Sequence, residues 1–195
     1  GALSAGFVSA NVGSGIAVTA NLAGLTLSNA NYQITGMTAA LAADIAAAPL
    51  TVTADNKSMV YGSTSPVLTY AYTGLVGGDT SASFNGAIVT NATSTSSVGS
   101  AYTITQGTLA SSSANYRIAT FNAGSFSIGA RPLTVTVNAG QSKVYGSADP
   151  SSFSATIQTQ GTDVGLLAGD TLGGSLARAV GENAGVYAIS SGSIV

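Results

Sequence analysis

The chain has 195 residues, with five Lys or Arg, seven Asp or Glu, and neither His nor Cys. A formal net charge of −2 provides no basic surface for nucleic acid or for an anionic membrane. Without His and Cys, the chain cannot build Ser–His–Asp or Cys–His catalytic groups, disulfides or thiolate metal sites.

The first element that we predict is a strand within the alanine-rich stretch 37–48. Alanine favours helix by intrinsic propensity. However, Ala43 and Ile45 occupy the places that Phe126 and Ile128 take in an alternating stretch further along the chain. Alternation is typical of a strand, so we expect the tertiary context to override the propensity.

The next elements are short strands in which apolar and polar residues alternate, as they do in half-buried strands. Stretches rich in Asn, Ser and Thr, such as residues 91–97, separate them and predict turns. The apolar positions of these strands are Leu50, Val52 and Ala54, then Leu68, Tyr70 and Tyr72, then Tyr102 and Ile104.

One short helical turn is predicted within residues 78–84. Asp79 follows a glycine there and can cap a helix N-terminus by accepting backbone N–H bonds. Asp170 stands in the equivalent stretch 169–172, which predicts a second such turn.

Three landmarks recur along the chain. Pro-Leu-Thr-Val-Thr begins at Pro49 and again 83 residues later at Pro132. Val-Tyr-Gly-Ser begins at Val60 and again 84 residues later, and Asn31-Tyr32 returns at Asn115-Tyr116 with the same shift. A shared period indicates tandem copies of one module.

These landmarks predict three repeats. Residues 1–48 form the C-terminal part of a first repeat, 49–131 a complete second repeat, and 132–195 the N-terminal part of a third. The third carries an insertion around residues 158–163, because its Gly-Asp-Thr sequence lies 91 residues after that of the second. We predict an all-β fold of small antiparallel modules, either β-grasp-like or immunoglobulin-like, with one helical turn per module.

Four positions of the Val-Tyr-Gly-Ser landmark are expected to have structural roles. Tyr61 and Tyr145 each precede a glycine at a strand end, where a half-buried ring with a bonded hydroxyl is commoner than a carbohydrate platform. Gly62 and Gly146 are expected to adopt a backbone conformation that other residues resist.

The sequence contains few residues that could form a catalytic or metal-binding site. Glu182 is the only Glu, whereas glycoside hydrolysis needs two carboxylates in a cleft. The less favoured alternative to helix capping is a calcium site that uses Asp79, Asp163 and Asp170, although calcium prefers about six to eight oxygen ligands. We predict no enzymatic activity, no catalytic residue and no cofactor.

The landmarks carry a resemblance to a known family. Val60–Pro66, Val144–Pro150, the Gly-Asp-Thr sequences and the Pro-Leu-Thr-Val starts together resemble the MBG repeats (Tyr-Gly type) of large secreted bacterial adhesins of the filamentous-haemagglutinin kind. Residues 1–48 are similar to the tail of that module or of the related YDG module. The resemblance implies a stalk segment on a bacterial surface, without catalytic residues.

We therefore expect a structural, stalk- or fibre-forming segment of a secreted protein at the cell surface or in the extracellular matrix. The alternative is a glycan- or receptor-binding adhesin module, with host or matrix glycans as partners. The other partners that we expect are neighbouring repeats or identical chains, which would exchange strands or form fibres at the incomplete ends. Binding to nucleic acid and membrane insertion are not expected, because no stretch approaches the roughly 20 apolar residues of a membrane span.

Overall fold

The computed structural model describes residues 4–21, 27–33 and 41–194, and within them it contains sixteen β-strands and no helix. The all-β prediction is confirmed. No helix capable of crossing a membrane occurs in this described part of the chain. In chain order the strands are β1 Ser4–Phe7, β2 Gly13–Asn21, β3 Leu41–Ile45, β4 Ala48–Ala54, β5 Lys57–Val60, β6 Tyr70–Thr73, β7 Phe84–Asn85, β8 Val89–Thr90, β9 Tyr102–Thr105, β10 Ala110–Ser111, β11 Tyr116–Asn122, β12 Gly124–Gly129, β13 Val135–Val137, β14 Ala155–Ile157, β15 Ala177–Arg178 and β16 Ile189–Ser190.

The strands form small sheets, most of which are antiparallel. Three-stranded sheets have the orders β1-β2-β3 and β11-β4-β6, and a four-stranded sheet has the order β5-β12-β9-β8. Three further pairs are β7 with β10, β13 with β14, and β15 with β16. Two pairings are parallel, β4 with β11 and β5 with β12, so the second repeat is a mixed and not a purely antiparallel module.

The chain divides into two compact units that do not follow the repeat boundaries. The first comprises Gly1–Asn56, Leu68–Thr90 and Thr103–Ser125, and the second comprises Lys57–Val67, Asn91–Tyr102 and Phe126–Val195. The first unit joins residues of the first and second repeats. The second unit joins residues of the second and third repeats. Contacts between neighbouring repeats therefore lie inside each unit.

The second and third repeats share the register of their first hairpin-like strand pair. In the second repeat Val52 lies opposite Tyr72, and in the third Val135 lies opposite Ile157. These positions correspond to each other in sequence, with shifts of 83 and 85 residues. Because a slip of one residue would turn every side chain to the other face, the shared register means that both repeats fold in the same way here.

The buried apolar side chains of the described residues all lie in the second repeat. They are Leu50, Val52, Ala54, Met59, Ile88, Ala92, Ile104, Leu109, Tyr116, Phe126 and Ile128. In the third repeat Leu133 and Val135, the counterparts of Leu50 and Val52, are only half-buried.

The predicted helical turns are wrong. A turn covers Gly77 and Gly78, whose φ values are 69° and 87°, and residues 79–83 after it have no regular secondary structure. A right-handed helix does not tolerate such φ values. The backbone N–H of Ala82 donates to the Tyr72 hydroxyl at 3.0 Å and not to a helical carbonyl. In the equivalent stretch a turn ends at Gly169, whose φ is 97°, and residues 170–172 have no regular secondary structure. Asp79 and Asp170 therefore cap no helix.

The strand predicted in the alanine-rich stretch is confirmed where the structure describes it. Leu41–Ile45 forms β3, which pairs with β2 in antiparallel fashion, with Ala43 opposite Ile16. Residues 37–40 lie outside the described residues. Tertiary pairing has overridden alanine's helical propensity, as the comparison with Phe126 and Ile128 indicated.

Candidate functional site at the repeat junctions

Arg131, the last residue of the second repeat, holds the loop that the third repeat inserts. We call residues 158–165 the junction loop. The guanidinium of Arg131 donates to the carbonyl oxygens of Gly165 at 2.8 Å, Gly161 at 2.5 Å and Val164 at 2.9 Å. Its remaining terminal nitrogen donates to the carbonyl oxygen of Tyr61 at 3.1 Å. A planar guanidinium has five N–H donors in a fixed arrangement, so one side chain can link the Tyr61 strand end to the loop.

Backbone hydrogen bonds hold the junction loop against the start of the third repeat. The N–H of Gly165 donates to the carbonyl oxygen of Pro132 at 2.8 Å, and the N–H of Gly161 donates to Val164 at 2.9 Å. Asp163 has a φ of 57°, and its carboxylate accepts a very short hydrogen bond from the Ser63 hydroxyl. The loop is therefore fixed at both its backbone and its tip.

A glycine of the second repeat makes room for a leucine of the third. Gly62 has a φ of 76°, and a Cβ atom added there would overlap the side chain of Leu167. The equivalent Gly146 has a φ of 82° with open space around it. Both glycines adopt the left-handed conformation, but only Gly62 also serves a close contact at a junction.

Tyr61 is half-buried and interacts with Asp170 of the third repeat. Burial raises the pKa of the Tyr61 hydroxyl, and the negative charge of Asp170 and a hydrogen bond to that carboxylate raise it further. Tyr145, the counterpart of Tyr61 in the third repeat, is instead 73% exposed.

Asn115 fixes the preceding junction, within the first unit. Its side-chain oxygen accepts from the N–H of Val12 at 2.9 Å, and its side-chain nitrogen donates to the Asn11 side-chain oxygen at 2.9 Å. Its backbone carbonyl accepts from the N–H of Ala48 at 2.8 Å. One side chain of the second repeat thus binds a strand connection of the first.

Asp79 stabilises the interior of the second repeat instead of a helix. Its carboxylate accepts a hydrogen bond from the Tyr116 hydroxyl at 2.5 Å, and the same hydroxyl is 3.2 Å from both the N–H and the carbonyl oxygen of Val76. The hydrogen bond to Asp79 is the main cause that raises the pKa of Tyr116. Tyr116 is 7% exposed, so this bond satisfies a hydroxyl that water reaches poorly.

Two of the three candidate calcium ligands accept a hydrogen bond from a hydroxyl group, Asp79 from Tyr116 and Asp163 from Ser63. The third, Asp170, acts on the Tyr61 hydroxyl and raises its pKa. In the part of the chain that the structure describes, no three His, Cys, Asp or Glu side chains gather where they could hold a metal ion.

Sequence reasoning did not identify the hydrogen bonds of Arg131 or the junction roles of Asn115 and Leu167. Arg131 could have been noticed because charged residues are so rare in this chain and because it directly precedes the predicted start of the third repeat at Pro132. Asn115 lies within a recurring landmark, which concealed its separate role. Leu167 is one of many apolar residues in turns, and nothing in the local sequence distinguishes it.

Comparison with known families decides what these repeats are. The family model of the MBG domain (YGX type) matches two tandem segments, residues 50–127 and 133–195. The chain belongs to the MBG domain family. No curated protein and no solved structure matches it. The repeat boundaries at residues 49 and 132 and the likeness of residues 1–48 to a YDG tail stay predictions.

MBG domains are repeat modules of bacterial surface proteins and are not an enzyme family. The two matched segments correspond to the second and third repeats, whose first strand pairs share a register. In this MBG chain Arg131 lies between the two matched segments, whereas Gly62, Asn115, Leu167 and the junction loop lie within them.

Proposed function

We propose that this MBG chain is a structural segment of a secreted bacterial surface or extracellular protein, in which serial repeats add length and fixed junctions limit bending. The single observation that carries the proposal is the set of four hydrogen bonds that Arg131 donates to Tyr61 and to the junction loop. A module that only had to fold by itself would not need a charged side chain directed at its neighbour.

The composition supports this role. The described residues bury no polar or charged residue, and outward-facing threonines and serines keep the strands soluble without ions.

Pro132 directly follows Arg131, and its ring restricts both its own backbone and that of Arg131. The restricted backbone at Pro132 and the hydrogen bonds of Arg131 therefore act at the same point between the two repeats. Association with identical chains stays a prediction.

Immunogold electron microscopy of intact cells of the source bacterium tests the proposal. Antibodies raised against residues 49–131 should label extended material outside the cells, and the label should persist after the cells are washed. A serum without these antibodies is the control for nonspecific binding of the gold particles. Label confined to the cell interior, visible only after permeabilisation, would contradict a surface role.

A further inference from the structure

The third repeat contains a cavity of about 340 Å³ that has aromatic and charged walls. It lies within the second compact unit. Its aromatic walls are Tyr145, Phe153 and Tyr187. A cavity of this size is at the lower end of the range in which small-molecule sites occur.

Four charged residues, out of the few in the chain, meet at this cavity. Lys143 binds Asp149 at 2.9 Å and Glu182 at 2.6 Å, and Arg178 binds the same two carboxylates at 3.1 and 3.0 Å. Lys143 and Arg178 are only 18% and 12% exposed, whereas the carboxylates of Asp149 and Glu182 are 43% and 67% exposed, so the cations hold carboxylates that solvent still reaches. The network does fix donors and acceptors in place.

The second repeat has no such network. Met59 and Ser65 stand where Lys143 and Asp149 stand in the third repeat, and the Ser65 hydroxyl lies 3.7 Å from the Met59 sulfur. Thr90 occupies the register position of Arg178, since each pairs with the corresponding isoleucine of the next strand. The uncharged pair Met59 and Ser65 of the second repeat is thus replaced in the third by an ion pair that lines a cavity.

The aromatic side chains present flat apolar faces. The Arg178 guanidinium lies 4.9 Å from the centre of the Tyr187 ring, which orders both groups. Tyr145 is 73% exposed at the cavity wall, although its counterpart Tyr61 is half-buried at a junction. No packing requirement explains a ring in this position.

We propose that this cavity binds a neutral pyranose residue of a glycan. The charges of Lys143, Arg178, Asp149 and Glu182 sum to zero, so the site carries no net charge. Asp149 and Glu182, which are 43% and 67% exposed, offer carboxylate oxygens that accept hydrogen bonds from sugar hydroxyl groups. Tyr145 supplies the face against which the C–H surface of a sugar ring packs. The structural proposal for the repeats does not depend on this site.

The test is an NMR titration of the full chain with methyl glycosides of glucose, galactose, mannose and N-acetylglucosamine. At least one should shift the signals of Tyr145, Arg178 and Tyr187. Tyr145→Ala should weaken that binding about tenfold without changing the melting temperature. Tyr32→Ala is the matched control, since Tyr32 is 70% exposed in the other unit, and it should leave binding unchanged.

Three results would overturn the proposal. One is the absence of any shift at the cavity residues with all four sugars. Another is tighter binding of methyl glucuronide than of the corresponding neutral sugar. The third is a titration in which every sugar that binds shifts only the signals of residues outside 141–189. Arg178→Met should also abolish the shifts, which separates a cavity site from adhesion of sugars to Tyr145 alone.

Discussion

The side chain of Arg131 donates a hydrogen bond from its Nε atom to the carbonyl oxygen of Gly165 at 2.8 Å. This bond joins the last residue of one repeat to a loop that the next repeat inserts. The insertion is therefore not a neutral addition to the surface, because its backbone carbonyls are the acceptors that Arg131 uses.

Replacing Arg131 should loosen the junction and leave the second repeat folded. For Arg131→Met we expect a loss of about 1–3 kcal/mol, the usual effect of losing hydrogen bonds to a charged group. Amide hydrogen exchange should accelerate at Gly161, Gly165 and Leu166. Arg117→Met is the control, because Arg117 is an exposed arginine on β11, which belongs to the first compact unit. Equal exchange in both variants would show that Arg131 does not hold the loop.

Two glycines offer a matched pair of substitutions. Gly62→Ala and Gly146→Ala both place a side chain at positive φ, for which we expect a loss of about 1 kcal/mol each. Only at Gly62 must Leu167 also move, which should cost about 1–2 kcal/mol more. Chemical denaturation of both variants measures the difference.

The double variant Gly62→Ala/Leu167→Ala provides the control for this pair. Because the smaller side chain leaves room for the new methyl group, the two substitutions should destabilise by less than the sum of their separate effects. Strictly additive losses would mean that Gly62 and Leu167 are not in contact.

The hydrogen bond between Tyr116 and Asp79 should stabilise the second repeat. Tyr116→Phe keeps the buried ring but leaves the carboxylate without this donor, so the melting temperature should fall by several degrees. Asp79→Asn should have a smaller effect, because an amide oxygen still accepts the bond. Tyr32→Phe, at an exposed tyrosine, should leave the melting temperature unchanged. A Tyr116→Phe protein as stable as the parent would refute the role given to Asp79.

Stability of the third repeat should depend on pH through its charge network. Hydrogen bonds from Lys143 and Arg178 lower the pKa values of Asp149 and Glu182 from 3.8 and 4.5. Their contribution is therefore present above about pH 5 and is lost as the pH falls through the lowered values. Hydrogen bonds to Glu182 and Asp149 raise the pKa of Lys143 above 10.5, so its contribution is complete below that pH and is lost above it.

Thermal melts across the pH range, followed by the signals of Tyr187, measure this dependence. The double variant Asp149→Asn/Glu182→Gln should flatten the acid side of the curve and lower the plateau. An unchanged acid side in that variant would show that other carboxylates cause the loss of stability.

The sequence predicted the repeated parts of the fold better than the parts that differ. Alternation located β4, β6 and β9, and the comparison of Ala43 and Ile45 with Phe126 and Ile128 predicted β3 correctly. These predictions succeeded because a strand's period is visible in each copy separately.

The helical turns failed for a reason that the local sequence conceals. Asp79 after a glycine matches a helix cap, yet its carboxylate bonds with Tyr116, which lies 37 residues further along the chain. The bonds at the junction were not predicted for the same reason. Arg131 donates to backbone carbonyl groups on a loop some 30 residues away, and every residue has such a carbonyl group, so the sequence does not show which ones accept. Parallel pairing of β4 with β11 was likewise not deducible from alternation, which does not distinguish the direction of a partner strand.

Engineered disulfides test most directly whether the second and third repeats are copies of one module. The natural chain has no Cys, so each pair can be studied without background. The exposed pairs Thr53–Ala71 and Thr136–Thr156 hold the same register position in the two repeats. We predict that Thr53→Cys/Ala71→Cys and Thr136→Cys/Thr156→Cys both cross-link under mild oxidation, whereas Thr53→Cys/Tyr72→Cys and Thr136→Cys/Ile157→Cys do not. Cross-linking of the second-repeat pair alone, or of the third repeat only in the shifted register, would contradict the tandem arrangement.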